Sequence, residues 1–536
     1  MPGLLAIFAM CAASAAGAGT EEKMKNRPNI VFAFADDWGR YASAYRQGPG
    51  DNSPNALIET PNFDRLAREG ALFRNAYVTA PSCTPCRSSL LSGQYFWRTG
   101  RGAILQCAVW DSSIPSYPLL LEESGYHIGY TWKVWSPGEP VNAPYGGDRA
   151  SYAKAGGRFN RFSHSVTDLA REMSVEQAKE RMLQEVRGNF RAFLDARKPG
   201  QPFCYWWGPT NTHRSWERGS GKALWGIEPE ALKGRLPAFL PDVPEIREDF
   251  ADYLGECMAV DLGLGVLLEM LEEIGELDNT LLVASGDHGI PGFPRGKCNL
   301  YDLGCEVALA ARWPGKIAPG RKIADFVNLM DLAPTFLEAA GETPPPVMTG
   351  RSLLPLFLSE KNGRIDPARD FVVTGRERHV ANAREGNLPY PQRAIRTKQY
   401  LYIRNFAPDR WPIGTKETNL RDIDSGPTKS WFLAHWDDPE WQTHRDWGFA
   451  KRPLEELYDL RVDPDYLNNV AESPEYSAVK KELADRLMGV LAETGDPRVV
   501  EADCRYDKPP YTDDFIENRP GAQRPASQAR KRSPAG

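Results

Sequence analysis

Four short apolar runs, each ending in polar residues, constrain this chain more than any other feature. They are Asn29–Ala35, Tyr126–Trp132, Phe203–Trp207 and Thr280–Ala284. Runs of this length without strict apolar–polar alternation suit strands buried on both faces of a parallel sheet. Between them lie helical patterns: 116–125, closed by Gly125 as a C-terminal stop; a charged amphipathic stretch at 168–197; and 246–276. Residues Pro61–Leu72 read as helix and loop. Helices alternating with buried strands predict an α/β fold with a mostly parallel sheet. Ligands of such sheets sit beyond the carboxyl ends of the strands. Polar clusters fall there: Asp36-Asp37 after the first run, Asn211-Thr212-His213-Arg214 after the third, and Ser285-Gly286-Asp287-His288 after the fourth.

The chain has 536 residues, enough for more than one domain, and a formal charge of −6 that argues against a general nucleic-acid binder. Its 15 Trp residues suit sugar-stacking surfaces, although core packing explains most of them as well. Residues 3–19 form a short apolar run ending in small residues, which predicts a signal peptide (1–19) and a periplasmic or secreted protein. No other segment is long and apolar enough to span a membrane. The nine Cys residues, at 11, 83, 86, 107, 204, 257, 298, 305 and 504, form no disulfide framework. Cys298 and Cys305 could pair, but buried free thiols are the more frequent outcome. Composition shifts across 341–370, at Pro344-Pro345-Pro346 and the polar run Ser359–Asp370. This predicts a first domain over 27–365, with a Leu353–Leu358 helix packed on it, and a smaller α+β domain over 366–515. Strands are expected there at Phe371–Thr374 and Tyr400–Arg404, an irregular Trp-rich region at 410–450, and a helix at 475–494. The Pro-, Arg- and Ala-rich residues 518–536 read as a disordered tail.

The segment Cys83-Thr-Pro-Cys-Arg-Ser-Ser-Leu-Leu-Ser-Gly93 carries the most chemistry. Pro85 suits the first position of a helix, and Leu90-Leu91 would anchor that helix in the core. Cys83 would then lie just ahead of a helix N-terminus, where free backbone N–H groups favour an anion, and Arg87 adds a guanidinium. The spacing of Cys83 and Cys86 also fits a zinc or redox pair. No second C-x-x-C or nearby Cys/His cluster completes a zinc site. Elsewhere, the acids Asp36, Asp37 and Asp287 supply hard oxygen ligands that suit Ca²⁺ or Mg²⁺, and His288 adds an imidazole.

The Cys83 segment resembles the sulfatase signature, and the match extends from about Arg27 to about Pro497. The segments Asp287–Tyr301, Thr349–Pro355 and Leu454–Pro464 look most like heparan N-sulfatase (N-sulfoglucosamine sulfohydrolase-like) members of that family. The resemblance implies an alkaline-phosphatase-like fold, with a large mixed, mostly parallel sheet flanked by helices and a smaller C-terminal α+β domain. It implies that Cys83 is oxidised to formylglycine by a formylglycine-generating or radical sulfatase-maturing enzyme, and that the hydrate of this aldehyde is the nucleophile. It further implies Asp36, Asp37, Asp287 and His288 as ligands of Ca²⁺ or Mg²⁺, joined by the oxygen at position 83. Some members carry Asn where His288 stands. Lys133, Lys297 and Arg87 match the family's positive groups, and His213, with Lys297 second, is the implied proton donor to the leaving oxygen or nitrogen. Trp135 stands where a His is usual.

Arg376, Glu377, His379 and Arg393 fall in polar stretches expected to form loops that contact substrate, with surface ion pairing an equal explanation. The resemblance thus implies an exported hydrolase of sulfate esters or sulfamates on a sulfated carbohydrate. A phosphoester or phosphonate hydrolase of the same superfamily is a second reading. A catalytically silent, glycan-binding relative is a third.

Overall fold

The computed structural model describes residues 27–48, 50–106, 108–138 and 144–508. The expected leader at 1–19, Cys11, Cys107 and the tail at 518–536 lie outside the described residues. No helix among the described residues is long and apolar enough to cross a membrane.

Seven strands make the large sheet: β1 (Asn29–Ala35), β2 (Ala71–Tyr77), β3 (His127–Trp132), β4 (Phe203–Gly208), β5 (Thr280–Gly286), β6 (Leu309–Arg312) and β7 (Arg321–Asn328). Their spatial order is β3-β4-β1-β5-β6-β2-β7. The first four in that order are mutually parallel, β6 runs against both its neighbours, and β2 pairs parallel with β7. The expected mostly parallel sheet flanked by helices is therefore present, together with a smaller antiparallel sheet.

Strand β1 shows why its sequence is apolar throughout. Ile30, Phe32 and Phe34 enter one core, and Val31, Ala33 and Ala35 enter the other. The second core is covered by the helices Val175–Asp195 and Pro244–Glu273. The first receives the Cys83–Ser92 helix through Cys86, Leu90 and Leu91. It also receives residues from both faces of the second sheet, which runs β11-β10-β9-β8 from β8 (Phe371–Arg376), β9 (Gln392–Thr397), β10 (Tyr400–Asn405) and β11 (Glu455–Asp459). The small sheet thus shares a core with the helix that carries Cys83. The helix Ser477–Glu493 joins this core through Leu483, Leu487 and Leu491.

Several local expectations differ. The single helix expected at 168–197 is two, Phe162–Leu169 and Val175–Asp195. Ser174 starts the second with a capping box: its side chain accepts from the Gln177 N–H, and the Gln177 side chain accepts from the Ser174 N–H. Ala71 and Leu72 belong to β2, because the preceding helix stops at Glu69. Strands β2 and β7 went unforeseen, since half-buried Arg74 and Asn75 interrupt the one and exposed Lys322 the other. The Trp-rich stretch contains two helices, Pro427–Ala434 and Gln442–Phe449. Cys298 and Cys305 are buried free thiols.

Candidate active site

The parallel strands β3, β4, β1 and β5 end along one edge, and each delivers polar residues there. Asp36 and Asp37 follow β1, Asp287 and His288 follow β5, Lys133 follows β3, and His213 lies in the turn after β4. Register sets the first contacts: Ala35 is level with Gly286, so Asp36 and Asp287 leave the sheet side by side. The Asp287 N–H donates to the Ala35 carbonyl (3.1 Å), and the Asp36 N–H to the Pro209 carbonyl (2.9 Å). Two glycines let the strand ends crowd. A Cβ on Gly286 would lie 2.0 Å from the Trp38 carbonyl oxygen, and one on Gly208 would lie 1.9 Å from that of Lys133. Asp37 takes a left-handed backbone (φ 61°), a conformation Asp tolerates better than most residues. The Asp287 Oδ1 acceptor for its N–H, at 2.7 Å, holds it there.

Cys83 is the first residue of its helix, not the residue ahead of it, and Pro85 is the third. Both Leu90 and Leu91 are fully buried, as expected of the anchor. The helix N-terminus meets the strand ends, with Cys83 Sγ 3.4 Å from His288 Nε2 and 4.0 Å from Asp37 Oδ1. One ligand atom from each of Asp36, Asp37, Cys83, Asp287 and His288 fits within 4.8 Å of all the others, and all five residues are buried.

The charges around this cluster have distinct roles. Arg87 is fully buried and donates Nε to Asp287 Oδ2 (2.8 Å) and Nη2 to Asp36 Oδ1 (3.1 Å). Its Nη1 donates to the carbonyls of Lys133 and Val134, and the guanidinium lies over the Phe34 ring. Arg87 is thereby committed to holding two carboxylates. Lys133 Nζ lies 2.7 Å from both oxygens of Asp36. Burial alone would raise the Asp36 carboxyl, but Lys133 and Arg87 hold it well below the usual range. For Asp37, burial prevails over the attraction of Lys297 and His288, and its pKa rises to about 7. Lys297 Nζ contacts Asp37 Oδ2 at 3.0 Å.

His288 gives Nδ1–H to the Gly289 carbonyl (3.2 Å), which turns Nε2 toward Asp37 Oδ1 (3.2 Å) and Asp287 Oδ1 (3.5 Å). An imidazole nitrogen facing two carboxylate oxygens repels them unless a proton or cation lies between. The donor set of three carboxylates, an imidazole and the group at position 83 therefore fits a divalent cation that takes hard ligands. Burial, with the charge of Asp36, pushes the Cys83 thiol well above the thiol range, so the unmodified side chain is a poor nucleophile at neutral pH.

His213 is the exposed member, with 36% of its side chain open. Its Nδ1–H donates to the Arg214 carbonyl at 2.7 Å, and Nε2 lies 4.0 Å from Asp37 Oδ2. Burial and nearby Lys297 lower its pKa. Sequence reading missed what holds this turn. The Arg214 guanidinium pairs with both oxygens of Asp249 (2.8 and 2.7 Å), and Asn211 Nδ2 donates to Glu256 Oε2 (2.9 Å). Thr212 Oγ1 donates to the Asp36 carbonyl. Trp135, at the position where a His is usual, is buried and donates Nε1–H to Ser88 Oγ, on the helix behind the cluster.

Of the four residues expected in substrate-contacting loops, Glu377 and His379 lie in the loop after β8, whereas Arg376 and Arg393 lie on strands, and all four are buried. Arg393 lies on β9 and is fully buried, paired with Glu377 (2.8 Å) and Asp496 (2.5 Å). Glu377 also pairs with Arg498, and Arg376, at the end of β8, pairs with Asp422. These charges face one another because they are inside the protein, where an unpaired charge is costly. His379 is buried, its pKa lowered to about 3 by desolvation, and its Nδ1 contacts Ser82 Oγ at 2.8 Å, next to Cys83. Asp424, which no motif marks, lies 3.3 Å from Lys297 Nζ.

Comparison with known proteins accords with this arrangement. Residues 28–342 match the sulfatase family model, and residues 293–414 match the model of the N-sulphoglucosamine sulphohydrolase C-terminal region. Human N-sulphoglucosamine sulphohydrolase is 28% identical over 521 residues, covering 89% of this chain and 92% of that protein. An ulvan-active sulfatase of Formosa agariphila is 26% identical over 509 residues, covering 89% of this chain and 77% of its own length. Among solved structures, one captured with its substrate D-glucosamine-2-N,6-O-disulfate superposes with TM-score 0.57 at 20% identity, over 89% of this chain and all of that one. The phosphonate monoester hydrolase of Agrobacterium radiobacter superposes with TM-score 0.60 at 18% identity, over 87% and 96%, and so shares the fold. With a family model covering more than half its length and the signature cysteine lodged among buried carboxylates, this chain belongs to the sulfatase family, the hydrolases of sulfuric esters.

Proposed function

We propose that this protein is exported and removes sulfate, as ester or sulfamate, from a sulfated carbohydrate, with Cys83 converted to formylglycine and a divalent cation, Ca²⁺ or Mg²⁺, held by Asp36, Asp37, Asp287 and His288. The convergence of Cys83 with those four side chains within 4.8 Å carries this reading. Glycan substrates are supported by the N-sulphoglucosamine sulphohydrolase and ulvan-active sulfatase relatives, and by the glucosamine-disulfate complex of the structural neighbour. In this reading the smaller region expected over 366–515 completes the pocket, and it contributes His379 against Ser82 and Asp424 against Lys297.

When bound, the formylglycine hydrate supplies an oxygen nucleophile with its own exit route, and the cation supplies charge stabilisation at the sulfuryl oxygens. The remaining work falls to the chain's own residues. Arg87 fixes Asp36 and Asp287 in place, so the ligand oxygens stay aimed at position 83. Lys133, paired with Asp36, and Lys297, paired with Asp37, offset the charge that accumulates on a sulfuryl group in transfer. His213 holds its Nδ1 proton on the Arg214 carbonyl. Any proton it passes to the leaving oxygen or nitrogen therefore travels through Nε2, the atom turned to the cluster.

The test combines mass spectrometry of the Cys83 peptide with sulfate release from sulfated mono- and disaccharides, beside matched phosphate esters. Protein made with a formylglycine-generating or radical sulfatase-maturing enzyme is expected to carry the aldehyde, prefer sulfate and lose activity to a chelator. An intact thiol alongside glycan binding would favour the silent relative. A large preference for phosphate would favour the phosphoester hydrolase.

A further inference from the structure

Asp424 differs from the other acids around the cluster. Asp36, Asp37 and Asp287 are buried, whereas a quarter of the Asp424 side chain is open. It lies on the far side of Lys297, whose Nζ bridges Asp37 Oδ2 (3.0 Å) and Asp424 Oδ2 (3.3 Å). Lys297, His213 and His379 act on it most strongly, and Lys429 also acts on it. His213 and Asp424, with 36% and 25% of their side chains open, are thus the members of this group that reach solvent.

The loop that carries Asp424 is held rigidly. The preceding Asp422 pairs with Arg376 (2.7 Å) and Arg384 (2.6 Å). The Ile423 carbonyl accepts from the buried Lys429 Nζ (2.9 Å), and the helix Pro427–Ala434 follows directly. A carboxylate presented on so fixed a loop is preorganised to read a ligand group. Neutralising Lys297 does not require it, since Asp37 already pairs with that ammonium.

We propose that Asp424 is a specificity-determining residue that reads the sugar substituent next to the scissile sulfate, accepting a hydrogen bond from a hydroxyl or amino group there and rejecting a second sulfate or a carboxylate. The proposal rests on the sulfated-carbohydrate reading above. A carboxylate accepts donors and has none to give, so an anionic neighbour meets like charge in a partly desolvated site. Such a clash costs roughly 100-fold in rate, and a partly exposed acceptor left without its donor costs roughly tenfold.

The test uses two matched series. One is glucosamine 6-O-sulfate with hydroxyl, hydrogen or sulfate at position 4, and the other is glucosamine N-sulfate with the same three groups at position 3. In whichever series the wild type cleaves, kcat/KM is expected to fall about tenfold from hydroxyl to hydrogen and about 100-fold from hydroxyl to sulfate. In Asp424→Asn the sulfate penalty is expected to shrink to about tenfold or less. These ratios do not depend on how much of a variant folds, and the wild-type order stands as a test even where the variant yields no protein. Equal wild-type rates across a series overturn the proposal. So does an Asp424→Asn variant that slows every member alike, the outcome of a role exerted through Lys297 alone. Failure of the wild type to release sulfate from either hydroxyl-bearing parent would instead sink the carbohydrate reading for these sugars.

Discussion

Two clusters of buried charge in this protein are both built around carboxylates and arranged to opposite ends. In the network behind the small sheet, every carboxylate oxygen of Glu377 and Asp496 meets an N–H of Arg393 or Arg498. At the edge of the large sheet, Asp37 gives one oxygen to Lys297, while the other turns to His288 Nε2 and the Cys83 thiol. The first cluster is satisfied by the chain itself. The second has ligand atoms directed at a common point and a carboxyl raised to about 7 by its burial. Buried charge that is fully paired serves the fold, whereas buried charge left converging is poised to hold something else.

Substitution should separate the two clusters by what is lost. Arg87→Ala removes the group that holds Asp36 and Asp287, and kcat per folded molecule is expected to drop at least about 10³-fold. Retention of a tenth of wild-type turnover would show that the acids keep their places without it. Arg393→Ala leaves Glu377 and Asp496 short of a partner. It is expected to cost about 3 kcal/mol of stability by denaturant unfolding, with kcat of the folded fraction changed little. A large fall in kcat at unchanged stability would move Arg393 from the fold to the site.

A third buried carboxyl lies between these extremes and yields the smallest effect. Glu256 is supported by the neutral donors Ser163 N–H and Asn211 Nδ2, and burial raises its pKa to about 7. Between pH 4.5 and 7 the folded state therefore holds a proton that the unfolded state releases, so this residue's contribution to stability falls as pH rises. Glu256→Gln is expected to flatten that slope, gaining on the order of 2 kcal/mol relative to wild type between pH 5 and pH 8. Parallel stability curves for the two proteins would show that Glu256 titrates normally.

Legibility followed the physical signals. Strands β1, β4 and β5 are apolar because both faces are covered, and β3, at the sheet edge, is buried in part, so they and the polar residues at their ends could be read directly. Strands β2 and β7 carry half-buried or exposed polar residues and gave no such run. The Cys83 helix announced itself through Pro85, Arg87 and the Leu90-Leu91 anchor. Arg376, Glu377 and Arg393 read as substrate-contacting residues because a charged side chain in sequence gives no sign of its partner. Those partners lie far along the chain, at Asp422, Arg498 and Asp496. Asp249 and Glu256, which pin the His213 turn, sit on a helix whose pattern signals only burial. Asp424 belongs to no pattern at all.

The sequence by itself determined the buried strands, the acids and imidazole at their ends, and a signature cysteine whose neighbours suit a helix N-terminus. These are local facts, carried by residue type and spacing. Tertiary structure decided the rest: that Arg87 holds two carboxylates, that Trp135 turns to Ser88, and that Asp424 pairs with Lys297. Each depends on which distant segments meet at one edge of the sheet. Strand order and register fix that meeting, and neither is written in any single stretch of the chain.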